Sequence, residues 1–100
     1  MPHFAITYEY DDRPAEMDSR RPAHRAFLSD LQQRGDLIVC GPLVSPEGDP
    51  TGGLLIVVAA DAAAAGRLVD DDPYAHAGLI TQRTVREWNP IIGTLAPPAS

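Results

Sequence analysis

The sequence contains no lysine: all eight of its basic residues are arginine. Schiff-base aldolases and pyridoxal-phosphate enzymes normally need a side-chain amine, so both are excluded for this chain acting alone. Cysteine occurs once, at Cys40, which rules out an internal disulfide and any multi-cysteine zinc site. Long hydrophobic runs are missing too. The longest, Leu54 to Ala60, falls far short of the ~20 residues of a membrane helix. Gly52-Gly53 is an isolated pair, and neither a Walker pattern nor a dinucleotide fingerprint is present. The G-x-S-x-G turn of a nucleophilic serine is absent as well. His3, His24 and His76 share no ligand spacing such as i, i+4, so no metal is expected. With no cofactor motif in sight, no cofactor is expected either.

What is present describes one domain. The 100 residues are 44% hydrophobic, enough for a packed core and too much for wholesale disorder. The net charge is −6 and the pI about 4.7. An acidic balance argues against nucleic acid or an anionic membrane as partner, since both reward a basic surface. No basic-then-apolar leader opens the chain, so a cytoplasmic protein is expected.

Phe4, Ile6, Tyr8 and Tyr10 alternate with smaller or polar residues, which predicts a half-buried strand up to Tyr10. A helix is expected from Arg20 to Arg34, with Pro22 in its first turn and Gly35 as a left-handed cap. At 100° per residue Ala23, Phe27, Leu28 and Leu31 form its apolar stripe, and His24 falls inside that stripe. Leu37 to Cys40 reads as a second strand ending at Gly41-Pro42, followed by a turn over Ser45–Gly53. The run Leu54 to Ala60 suits a strand covered on both faces. Asp61 is a ready N-cap for a helix from Ala62 to Val69. A polar turn at Asp70–Tyr74 leads to a last strand over Ile80–Trp88. Residues 1–90 therefore form the domain, and 91–100 a Pro-rich tail. The order β-α-β-β-α-β is that of a ferredoxin-like α+β unit, a four-stranded antiparallel sheet with two helices on one face. A second copy of the chain is the economical cover for the other face, giving a homodimer.

His24 is the leading chemical candidate. A histidine on an apolar face is commonly a hydrogen-bonded core residue. The acidic triplet Asp70-Asp71-Asp72 adds a second possibility. Pro73 pushes Asp72 into extended backbone, which suits a carboxyl group that orients an imidazole and raises the basicity of its other nitrogen. A solvated acidic turn is the alternative. Tyr8 or Tyr74 is placed to donate a hydrogen bond to a substrate oxygen. Arg20, Arg21 and Arg25 surround His24 in sequence and could hold an anion, though helix arginines commonly pair with acidic turns. Cys40 reads as a small buried hydrophobe.

These pieces resemble the YCII-related (YciI-like) family of the dimeric α+β barrel superfamily. The matching segments are F-A-I-T-Y-E-Y-D-D at the start, R-x-x-H at Arg21 to His24, and G-D-L-I-V-C-G-P-L from Gly35 to Leu43. D-P-Y-A-H-A-G-L from Asp72 to Leu79 and V-R-E-W from Val85 to Trp88 complete the order. The resemblance implies a dimer with a pocket between sheet and helices, and makes His24 and Asp72 the catalytic pair. Substrate contacts are expected at Tyr8, Arg21, Gly41, Pro42, Pro73 and Tyr74. The known family chemistry is dehydrochlorination of a chlorinated hydroxyquinol, and Gly53 stands where a serine is common. The expected activity is thus cofactor-independent proton transfer, of lyase or isomerase type, on a small cyclic or aromatic oxygenated substrate. The alternative is a non-catalytic small-ligand-binding or accessory protein on the same dimeric scaffold. A dimer that only mediates assembly is a third reading.

Overall fold

Buried Phe4, Ile6 and Tyr8 alternate with half-exposed Ala5 and Thr7 along β1 (His3–Tyr10) in the computed structural model, which describes residues 1–95. The following helix, α1 (Pro14–Gln33), begins six residues before the expected Arg20. Pro14 supplies a fixed φ at the first helical position, where a missing N–H costs little. Pro22 consequently lies inside the helix and not in its first turn. It is exposed, as is Ala23, which the sequence placed on the inner stripe. The buried face is Met17, His24, Leu28 and Leu31, and Phe27 is half-buried beside it. Gly35 takes the expected left-handed conformation at φ +84, and Asp36 N–H donates to the Leu31 carbonyl at 3.0 Å.

Strand β2 (Leu37–Val44) does not stop at Gly41-Pro42 but runs through them. It lies at the sheet edge, where the donor that proline lacks faces no partner strand. A turn at Ser45–Asp49, with Gly48 at φ +90, leads into β3 (Pro50–Val58). That strand starts four residues before the apolar run and ends before Ala59. Asp61 caps α2 (Ala62–Val69) as expected, accepting from Ala64 N–H at 2.8 Å. A short helix, α3 (Pro73–His76), replaces the expected polar turn. The last strand, β4 (Ile80–Trp88), spans the expected residues.

The strands are arranged β2-β3-β1-β4, with every neighbouring pair antiparallel. This is the ferredoxin-like α+β fold. Ile6, Leu55 and Val57 from the sheet pack on Leu28, Leu31, Ala65 and Val69 from the helices. Burying each larger side chain is worth about 1.5–3 kcal/mol, so this single layer dominates the fold's stability. Met17, Tyr74 and Leu79 form a second, smaller cluster around α3. The run from Leu54 is not covered on both faces within one chain. Leu54, Val39 and Trp88 on the opposite face stay 36%, 52% and 40% exposed. No helix among the described residues is long and apolar enough to cross a membrane. The expected tail is described only as far as residue 95, and residues 96–100 lie outside the described residues.

Candidate functional site

Helical phase and a proline together bring the two leading residues into contact. His24 lies seven residues after Met17 and four before Leu28, so it shares their buried face of α1. Asp72 has φ −56 and ψ 128, the extended geometry imposed on a residue before proline. Its side chain is fully buried. Oδ1 lies 2.8 Å, and Oδ2 3.0 Å, from Nδ1 of His24.

Two further donors converge on the same carboxyl group. Tyr74 N–H donates to Oδ1 and the Tyr8 hydroxyl to Oδ2, both at 3.0 Å. A carboxylate at Asp72 only accepts, so Nδ1 donates to it, and the neutral imidazole then presents Nε2 as an acceptor. The Tyr74 ring stacks on the imidazole at 3.8 Å and 12°. The ring plane is therefore fixed from one side by packing and from one edge by hydrogen bonds.

His24 opens onto a cleft of about 690 Å³ between α1 and the sheet. Arg21, Gly41, Pro42 and Tyr74, all expected as substrate contacts, line this cleft with it. Tyr8 and Pro73 are not among the lining residues. Tyr8 is buried and its hydroxyl is spent on the Asp72 carboxyl group, and burial and the adjacent Asp72 push its phenol far above its ordinary value. Pro73 acts on the backbone, as the first residue of α3.

Arg21 is held by Asp18 at 2.8 Å. Burial raises the Tyr74 phenol against the opposing pull of nearby Arg21. Cys40 differs from its expected place in the core. It is exposed on the edge strand and lines the cleft, where partial burial and Asp72 raise its thiol. Tyr10 and Met17, not expected as site residues, also line the cleft, as does Gly53, the position where the family commonly has a serine. The signal for Tyr10 was its place in the β1 alternation.

The rest of the acidic triplet is occupied elsewhere. Asp70 pairs with Arg83 at 2.8 Å and exposed Asp71 meets His76 at 3.3 Å. Among the described residues no three His, Cys, Asp or Glu side chains are grouped to hold a metal ion.

The site can be set beside known proteins. No curated protein matches the chain. Among solved structures, it is similar to the 5-chloro-2-hydroxyhydroquinone dehydrochlorinase TftG of Burkholderia phenoliruptrix AC1100, in complex with 2,5-dihydroxybenzoquinone. Identity is 26%, the TM-score 0.76, and the match covers 87% of this chain and 93% of that one. SnoaB, a cofactor-independent oxygenase from Streptomyces nogalater, shares the fold at 18% identity and TM-score 0.51, over 98% of this chain and 96% of that one. These neighbours have the architecture of dimeric α+β barrel proteins. The YCII-related domain model matches residues 1–89, nearly the whole described chain and every element of the sheet. The chain belongs to the YCII-related domain family.

Proposed function

We propose that this protein is a cofactor-independent lyase of the dehydrochlorinase type, acting on a small oxygenated aromatic ring through His24 and Asp72. The observation that carries the reading is the hydrogen bond from Nδ1 of His24 to a fully buried Asp72, which leaves Nε2 to the cleft. The likeness to a dehydrochlorinase supports the substrate class.

Nε2 would take a proton from a ring hydroxyl and return it to the carbon that bears chlorine. Chloride then leaves with the carbon–chlorine electron pair as a second hydroxyl loses its proton. The net loss is HCl, the ring becomes a hydroxyquinone, and no external oxidant enters the balance. Asp72 holds the tautomer and stabilises the imidazolium formed on the way.

The test is chloride release from 5-chloro-2-hydroxyhydroquinone, followed with an ion-selective electrode. The wild type should release chloride, and His24→Ala should lose roughly 10²–10⁴-fold in rate, the usual worth of a positioned acid–base group. Equal rates for the two proteins, or no release from either, would remove the catalytic reading. Binding of 2,5-dihydroxybenzoquinone without chloride release would put a ligand-binding protein in its place.

The assembly belongs to the same reading. The open sheet face presents Leu54, Val39 and Trp88, and a second copy laid on it would bury an apolar patch that water otherwise meets. Light scattering should give twice the 10.7 kDa chain mass at micromolar concentration. Leu54→Arg, which places a charge at the centre of the face, should give the single-chain mass. A monomeric wild type would sink the closed-barrel assembly.

A further inference from the structure

Tyr10 is a polar group of the cleft to which the proposed reaction gives no task. Its side chain is half-buried and lines the cleft. No buried side-chain oxygen among the described residues lacks a partner, and the Tyr10 hydroxyl is bonded to none of them, so it reaches the open space of the cleft. The ring itself is held firmly. It lies edge-on to Tyr74, with centroids 5.5 Å apart at 77°, and tilted against Tyr8 at 6.3 Å. Tyr74 is also the ring on which His24 stacks. One phenol ring thus positions both the imidazole and the Tyr10 hydroxyl.

The place of that hydroxyl depends on an absent side chain. A Cβ built on Gly53 would stand 2.8 Å from the Tyr10 hydroxyl oxygen but 3.6 Å from the ring carbon that carries it. The first distance is a clash and the second an ordinary contact. Gly53 is not among the residues with positive φ, so its backbone would accept any residue. Neighbouring Gly52 differs, because a Cβ there would meet the Tyr8 carbonyl oxygen at 2.2 Å. Glycine at 53 is therefore a matter of space in the cleft and not of strand geometry.

We propose that Tyr10 is a substrate-binding residue whose hydroxyl donates a hydrogen bond to an oxygen of the aromatic ring, with Gly53 leaving the room that this donor occupies. The inference rests on the function proposed above and adds the specificity element that selects an oxygenated ring. Burial, reinforced by Tyr74, raises the Tyr10 phenol well above its usual range, which keeps it a donor at any working pH.

The experiment is a double-mutant cycle read by calorimetric titration with 2,5-dihydroxybenzoquinone. Tyr10→Phe keeps the ring packing and should weaken binding about tenfold, the worth of one hydrogen bond to a polar ligand. Gly53→Ala should weaken it comparably in the wild-type background, by displacing the hydroxyl. In the Tyr10→Phe background, Gly53→Ala should have no effect, since only ordinary contacts at 3.6 Å, to the rings at positions 10 and 8, remain. Wild-type affinity in Tyr10→Phe, or an equal alanine penalty in both backgrounds, would overturn the assignment, as would a wild type that does not bind the quinone. Failure of the catalytic reading shows separately, as wild-type quinone binding without chloride release, and the cycle still decides the role of Tyr10.

Discussion

Asp72→Ala should lower the stability of the fold by roughly 3–5 kcal/mol, because it strips buried donors of their shared acceptor. The carboxyl group is fully buried and accepts from three donors on three elements: His24 on α1, Tyr8 on β1 and Tyr74 on α3. Alanine leaves all three facing a void. Each unsatisfied buried donor costs about 1–3 kcal/mol. Water entering from the cleft would restore a partner to His24, which holds the total near the stated range. Set against the roughly 5–15 kcal/mol that stabilises a domain, this is a large fraction. Thermal unfolding followed by circular dichroism should show a midpoint lower by about 12 °C or more. A change below about 4 °C would mean that the three bonds together contribute less than about 1 kcal/mol. Tyr8→Phe removes a single donor together with its own need for a partner, so its effect should be smaller.

Asp72→Asn separates the chemistry from the packing. The amide has the shape of the carboxyl group, and its oxygen can still accept from Tyr74 N–H, which has no alternative partner. Nδ2 then replaces Oδ2, placing a donor 3.0 Å from both the Tyr8 hydroxyl and Nδ1 of His24. The hydroxyl can turn and accept. The imidazole, however, now faces one acceptor and one donor, so its tautomer is no longer dictated, and a forming imidazolium meets no carboxylate. Chloride release should fall roughly 10²–10⁴-fold while the unfolding midpoint moves by only a few degrees. Turnover within threefold of wild type would show that orientation by Asp72 plays no part.

Which of these residues could be read from the sequence follows from how local their causes are. His24 was legible because Leu28 and Leu31 set the phase of the helix around it. The extended backbone of Asp72 was legible because Pro73 is its next neighbour. The cap at Asp61 and the bounds of β4 are equally local. The start of α1 was not, because Pro14 and Pro22 both suit a first turn, and only the burial of Met17 against Tyr74 and Leu79 selects the earlier one. The passage of β2 through Pro42 depends on that strand lying at the sheet edge, a property of the assembled order. The exposure of Cys40 has the same origin. Tyr8 and Tyr10 alternate identically along β1. Which phenol meets a carboxyl group and which meets the cleft is set by where α1 and α3 cross the strand, so no spacing within β1 distinguishes them.

The sheet order has one more consequence. His3 opens β1 directly opposite Trp88, the last residue of β4, so the two ends of the folded domain lie side by side. The β2–β3 turn at Ser45–Asp49 is largely exposed, and none of its five residues lines the cleft. A chain rejoined from Trp88 to His3 through a short linker and opened within that turn would keep every strand neighbour and every hydrogen bond to Asp72. Circular permutation at this turn is therefore compatible with the site, because the antiparallel register, and not the order in which the strands are synthesised, places Tyr8, His24 and Asp72 together.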